Sequence, residues 1–177
     1  TALAASGDLD RVARDPEVLH AVFARLATVV PSEDASLVLY DTELRELAFR
    51  VSRALRHGVI DGMRLQVGQG IVGWVAKTGE PLIVPDVRRD ARYVAARPAT
   101  RSEVAAPLVL KGRTIGVFNL ESDVDDAYHE GHLELLRAFA SQAAVAIERA
   151  RLTREILERR RLEKELAIAR EIQLSFL

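Results

Sequence analysis

The spacing of apolar side chains changes several times along this chain, and each change predicts an element. From Pro16 to Val30 (PEVLHAVFARLATVV), Val18, Leu19, Val22, Phe23 and Leu26 recur at helical spacing. This predicts an amphipathic first helix with Asp15 as N-cap, Pro16 at its first position and an end before Pro31. The period then shortens. Ala35–Tyr40 (ASLVLY) and Glu46–Val51 (ELAFRV), with Leu47, Phe49 and Val51 facing one way, are predicted to be paired strands joined by a turn at 41–45. Met63–Val67 is a third short strand, and a brief apolar run follows at Leu82–Val84. Val104–Leu110 and Thr114–Leu120 flank Lys111, Gly112 and Arg113, which predicts a hairpin; Pro107 then belongs at a bulge or edge. From about Tyr128 to Leu177 the chain is rich in Ala, Leu, Glu and Arg, lacks proline, and is expected to be helical almost throughout. Strands follow one another instead of alternating with crossover helices. The fold class is therefore α+β, an antiparallel sheet covered by helices.

Between these elements lie two passages with candidate chemistry. Gly68, Gly70 and Gly73 spell G-x-G-x-x-G, the spacing of a dinucleotide-binding turn. That reading needs a crossover helix of some 10 to 15 residues. Here Ile71–Lys77 gives only about two turns before Thr78 and Gly79 cap it and Pro81 blocks continuation. The glycines are read structurally instead: Gly68 and Gly70 shape a tight bend, Gly73 lets a short helix pack closely, and Trp74 supplies core area. The second passage, Asp86–Arg101 (DVRRDARYVAARPATR), is a charged surface excursion carrying one short helix. Its arginines, mixed with Asp86, Asp90, Tyr93 and Glu103, suit either a solvated surface or a guanidinium clamp for an anionic ligand. The residues to inspect first for ligand binding are Asp86, Arg92, Tyr93 and Arg101.

Composition removes several alternatives. The 177 residues, 49% hydrophobic, suffice for one domain and an appendage. Charge is nearly balanced, 25 Lys plus Arg against 26 Asp plus Glu, so neither nucleic acid nor an anionic membrane is an expected partner. With no cysteine, thiol nucleophiles and disulfides are excluded, and a cytoplasmic location is expected. No apolar run approaches the roughly 18 residues of a membrane span, and the start resembles no signal peptide. His129 and His132 are three apart and could share a helical face, but neither they nor His20 and His57 suggest a metal site. No G-x-S-x-G elbow occurs.

The stretch GQGIVGWVAKTGEPLIVPDVRRDARY resembles the central signature of GAF domains. RSEVAAPLVLKGRTIGVFNLES is similar to that family's paired central strands, and ELLRAFASQAAVAIERARL to its closing helix, so the resemblance covers about Pro16 to Leu152. It implies an antiparallel sheet of about six strands with helices on one face. On the other face it implies a pocket, which in some members binds cyclic nucleotides, chromophores, haem or small metabolites. The bilin-anchoring cysteine is missing, and so is the N-K-x-x-x-F-x-x-x-D-E arrangement of cyclic-nucleotide-binding members, so neither ligand is supported.

The domain reading is an N-terminal extension at 1–15, a GAF-like sensory domain at 16–149 and a coiled-coil-like linker helix at 150–177. In the linker, Leu162, Leu166, Ala169, Gln173 and Phe176 alternate at steps of four and three, a seam suited to a homodimer. Pairs such as Glu155 with Arg159, and Glu158 with Arg161, support the solvated side. The segment LEKELAIAREIQLSFL also resembles the linker before the catalytic domain of bacterial serine/threonine phosphatases of the sporulation-protein-E type. That resemblance implies manganese or magnesium only in an absent downstream phosphatase domain, with no cofactor in this chain beyond a small-molecule ligand of unknown identity. Because the chain stops inside an amphipathic helix without a C-cap, it is read as an excised regulatory piece.

The leading expectation is thus a cytoplasmic, dimeric sensory module relaying a signal through its last helix to a phosphatase domain. The alternative is a purely structural dimerisation module without a ligand, and a third, less favoured, is a nucleotide-dependent oxidoreductase. The chain itself is expected to be non-catalytic, since even a GAF-fold methionine sulfoxide reductase would need cysteines.

Overall fold

The structure, a computed structural model, describes residues 21, 24–26, 28–41, 45–52 and 64–176, of which 41 and 48–52 are described for the backbone alone. Val18, Leu19, Val22, Phe23, His20, His57 and Met63 of the expectations above lie outside the described residues. The described part of the first helix ends as predicted, with the Val30 N–H donating to the Leu26 carbonyl at 2.9 Å just before Pro31.

Six strands form one antiparallel sheet: β1 (Asp34–Asp41), β2 (Glu46–Ser52), β3 (Arg64–Gln66), β4 (Leu82–Val84), β5 (Ser102–Leu110) and β6 (Arg113–Ser122), in the order β3-β2-β1-β6-β5-β4. Helix α1 spans Gly70–Thr78 and α2 spans Glu130–Ser175. Side-chain alternation divides the sheet into two faces. Leu37 and Leu39 of β1, with Val104, Ala106 and Leu108 of β5, face a core closed by Leu26, Val30 and the inward side of α2. Val38 and Ala105 point the other way, into a second core closed by Ile71, Val72 and Val75 of α1 and by Val87 of the excursion.

Local chemistry accounts for the connections. Lys111 and Gly112 form a two-residue hairpin loop with φ of 50° and 75°, and Leu110 pairs with Arg113 across it; both central residues at positive φ are what a type I′ turn requires. Pro107 lies beyond the end of β4, which pairs only as far as Ala105, so β5 is locally an edge there, and a register shift follows between Leu108 and Val109. Helix α1 ends at Gly79 (φ 73°), whose N–H donates to the Val75 carbonyl. His129 caps α2, accepting from the Gly131 N–H at 3.1 Å while His132 Nδ1 accepts from the His129 N–H, and the two rings stack with centroids 3.8 Å apart. These histidines serve as a helix cap.

Gly73 is the closest approach between α1 and the strand before it. A Cβ there would lie 2.8 Å from the Gln66 carbonyl oxygen and 3.1 Å from the Gly68 backbone. Gly73→Ala is therefore expected to destabilise the fold by about 1–3 kcal/mol through overpacking, measured as a shift in urea midpoint at unchanged slope.

Candidate functional site

Both β5 and β6 run further than their apolar cores. Ser102 and Glu103 begin β5, and Glu121 and Ser122 end β6, all four buried. The register makes these polar additions a site. Glu103 of β5 pairs with Glu121 of β6, and Glu121 pairs in turn with Asp34 of β1. Three acidic residues therefore stand side by side across adjacent strands, with relative exposures of 3%, 9% and 2% respectively. One step along, Asn119 pairs with Ser36 and Ala105. Like charges directly opposite on a sheet are destabilising, and buried charges are costly unless paired.

The row is only partly compensated. The Thr100 hydroxyl donates to Glu121 Oε2, and the Asn119 amide donates to Glu121 Oε1 at 3.4 Å. Asp34 Oδ1 accepts from the Ala35 N–H at 2.8 Å. Burial pushes Glu103 well above the ordinary glutamate range; the charge of Glu121 adds to this and a hydrogen bond from Asn119 tempers it. Glu121 is raised chiefly by burial too, with Thr100 opposing, the Asp34 charge adding and Arg97 opposing. Asn119 Oδ1 is buried with no hydrogen-bond partner among the described residues.

A small cavity opens onto this row. Glu103, Asn119 and Glu121 line it on the sheet side, and Gly70, Val72, Tyr93 and Val94 are among the residues that line it opposite. Its volume is about 20 Å³, room for a water or an ammonium head and far less than a nucleotide needs. Gly70, at φ 72°, sits where a Cβ would be 3.5 Å from Val94. Among the described residues, no group of three His, Asp or Glu side chains is arranged to hold a metal ion.

The excursion is organised by its own ion pairs. Asp86 caps the 3-10 turn Val87–Arg89 by accepting from the Arg88 N–H and holds the Arg88 guanidinium at 2.7 and 3.0 Å. Asp90 does the same for Arg92, at 2.9 and 2.6 Å, and Arg92 lies over Trp74 with its guanidinium carbon 4.8 Å from the ring centroid. Hydrogen bonding to these arginines lowers both aspartates below their usual range. Arg97 is bonded to Asp123. Arg101 is held through its backbone, donating to the Ser122 carbonyl at 2.7 Å and accepting from the Val87 N–H. Of the four residues singled out from sequence, Tyr93 lines the cavity, while Asp86, Arg92 and Arg101 do not. The buried acidic row was missed. Its signal was present in SEVAAP and FNLES, where Glu103, Asn119 and Glu121 share the inward phase of Ala105 and Val117.

A family model for the GAF domain matches residues 14–148. The chain belongs to the GAF family. Similar to this GAF domain is the free methionine-R-sulfoxide reductase of Saccharomyces cerevisiae, 31% identical over 94 residues that cover 52% of this chain and 50% of that protein. The chain spans about half the length of the first two curated relatives it matches. Among solved structures, the type II free methionine-R-sulfoxide reductase of Thermoplasma acidophilum superposes with TM-score 0.66 at 18% identity, covering 80% of this chain and 96% of that one. The GAF domain of an Acinetobacter phosphoenolpyruvate-protein phosphotransferase gives TM-score 0.68 at 18% identity, covering 81% and 92%. At such identities the structures share a fold with this GAF domain. The expectation that this chain is non-catalytic is overturned by these relatives. The yeast and Escherichia coli proteins are reductases by name, and their similarity to this GAF domain admits catalysis by it.

The tail of this GAF domain is helical as expected, and Leu162, Leu166 and Phe176 are 59%, 62% and 85% exposed, with Ala169 and Gln173 exposed beside them. Glu155 pairs with Arg159 at 3.6 Å, whereas Arg161 bonds Glu165 at 2.9 Å. Among the described residues, no helix is long and apolar enough to cross a membrane.

Proposed function

We propose that this GAF domain is a sensory and regulatory module that binds a small ammonium-bearing molecule on its inner face. It dimerises through α2 and relays occupancy to a serine/threonine phosphatase domain downstream. The observation that carries the ligand reading is the acidic row of Asp34, Glu121 and Glu103, of which Glu121 and Glu103 line the small cavity. An ammonium group brings one positive charge and three donors, matching Glu103, Glu121 and the unpartnered Asn119 Oδ1. The charge expected of the ligand is thereby reversed from the anionic alternative read in the sequence, because Arg88 and Arg92 bond carboxylates of the excursion itself and Arg97 bonds Asp123. A larger molecule would place its ammonium head in the cavity and displace Val94 and its neighbours.

Strand β5 supplies the link to α2. Its side chains alternate between the cavity, at Glu103, and the core beneath α2, at Val104 and Ala106, so a shift of β5 is felt on both faces. Ligand changes the output only by binding two helix packings with different affinity. Manganese or magnesium would belong to the downstream domain.

Thermal shift and calorimetry with free amino acids, polyamines, cyclic nucleotides and anionic metabolites test the ligand reading. An ammonium-bearing compound is expected to stabilise the domain, by about 2.7 kcal/mol at a hundredfold excess over Kd. A response confined to anions overturns the proposed class, and no response to any compound favours a purely structural dimerisation module. Analytical ultracentrifugation is expected to find a dimer at about 10 µM and above; a monomer there removes the relay.

The relatives support a second reading, in which the bound molecule is also transformed. Glu103 and Glu121, both raised by burial, line the cavity and are suited to proton transfer there. Because the chain has no cysteine, a reduction would draw its two electrons from two thiol groups of an external dithiol, which closes to a disulfide while the sulfoxide oxygen takes up two protons and leaves as water. Conversion of free methionine-R-sulfoxide to methionine in the presence of dithiothreitol, lost in Glu121→Gln, would carry this reading.

A further inference from the structure

Helix α2 is about 69 Å long at 1.5 Å per residue, and beyond Ile147 none of its side chains is buried. Its sheet-facing side is formed by Leu133, Leu136, Ala140, Ala143 and Ile147. On the opposite side Leu135, Val145, Leu152 and Ile156 are exposed, and with Ala138, Gln142 and Arg149 they recur at alternating steps of three and four. Ala146, Ala150 and Thr153 frame an apolar groove along this stripe.

The stripe does not run straight on into the tail. Leu162, Leu166, Ala169, Gln173 and Phe176 alternate at steps of four and three, but from Ile156 the steps are three to Arg159 and three again to Leu162. On a straight helix the distal stripe faces roughly a third of a turn away from the proximal one. Left-handed supercoiling takes up about 20° per heptad, which removes only part of that offset.

We propose that α2 docks in parallel against α2 of a second copy along two seams whose heptad frames slip by three residues at Arg159. This rests on the dimer reading above. A second copy fits because its stripes repeat the same spacing, and a parallel pair leaves both bodies outside the seam, on the far side of each helix. Charge supports the same partner. In the distal frame Leu166 and Gln173 take a positions and Leu162, Ala169 and Phe176 take d positions, which sets Glu165 opposite Arg170 of the other copy. At the slip, Glu158 faces Glu163 and Arg159 faces its own counterpart, so the pair is weakest there. A three-residue insertion overwinds a coil; closing the proximal seam smoothly turns the distal stripe away, and the converse. The slip gives the rod two packings between which the body can choose.

The cysteine-free chain allows a clean test by single cysteine substitutions from Gln142→Cys to Phe176→Cys in the full chain. Disulfide formation between copies is expected to peak at 145, 152 and 156, then at 162, 166 and 169, with a several-fold drop at 163 and 170. Peaks that continue through 163 and 170 in an intact dimer overturn the slip and leave the dimer standing. No cross-linking at any position, with a monomer in the ultracentrifuge, overturns both. Deleting Arg159, Arg160 and Arg161 makes one continuous seam and is expected to lower the dimer Kd by about tenfold; an unchanged or higher Kd overturns the slip.

Discussion

Replacing Glu103 by Gln is expected to make the fold more stable at neutral and alkaline pH while abolishing ammonium binding. In the folded chain this carboxyl is raised well above its ordinary value of 4.5 by burial and by the charge of Glu121. The sign follows from the two states. Below the unfolded value both states hold the proton and Glu103 costs nothing. As pH rises from the unfolded value through the folded one, the unfolded state gives up its proton first, so stability falls by up to about 1.4 kcal/mol per pH unit from this group. Gln keeps the shape and the hydrogen bonding and removes the proton equilibrium. Urea melts from acid to mildly alkaline pH are expected to show wild type losing stability across that window and Glu103→Gln losing less. Equal slopes in the two proteins would mean that Glu103 ionises as readily in the fold as in the unfolded chain, which overturns the predicted loss of stability. The paired loss of binding matters, because a group that costs stability and is needed for a ligand is placed for function.

Gly116→Ala is expected to cost about 3 kcal/mol, near the upper end for overpacking, and to lower Tm by about 6–12 °C for a chain of this size. Gly116 lies in β6, between Leu39 of β1 and Leu108 of β5. A Cβ there would come within 2.3 Å of the Val38 carbonyl oxygen and 2.7 Å of Leu39 Cδ2. The first of these is backbone in the centre of the sheet, so the strand itself must move. A change in Tm of less than about 2 °C, under 1 kcal/mol at this size, would show that β1 and β6 separate more easily than this packing implies. Calorimetry on the purified variant gives the answer directly.

Much of the architecture was legible because its signals are local. The two-residue period at Ala35–Tyr40, the Thr78-Gly79 cap, the Lys111-Gly112 turn and the proline-free tail each report an element within a few residues, and each element is where the period placed it. Strand ends were less legible. Reading the hairpin strands as Val104–Leu110 and Thr114–Leu120 stopped where polar residues begin, whereas hydrogen bonding carries β5 back to Ser102 and β6 on to Ser122. A backbone ladder does not distinguish Glu from Val, so hydrophobicity marks the core of a strand and leaves its extent open.

The chain's order of residues therefore determined, by itself, the α+β class, the sequence of strands and helices, the tight glycine bend and the apolar spacing of the tail, all of which depend on contacts between near neighbours. Only the tertiary structure decided that Asp34, Glu103 and Glu121 stand abreast, because strands separated by up to 87 residues must first be set in register. It likewise decided which charges were spoken for. Arg97 looked available in the sequence, yet Asp123, 26 residues further along the chain, holds it in the fold, and such partnership is set by distance in space.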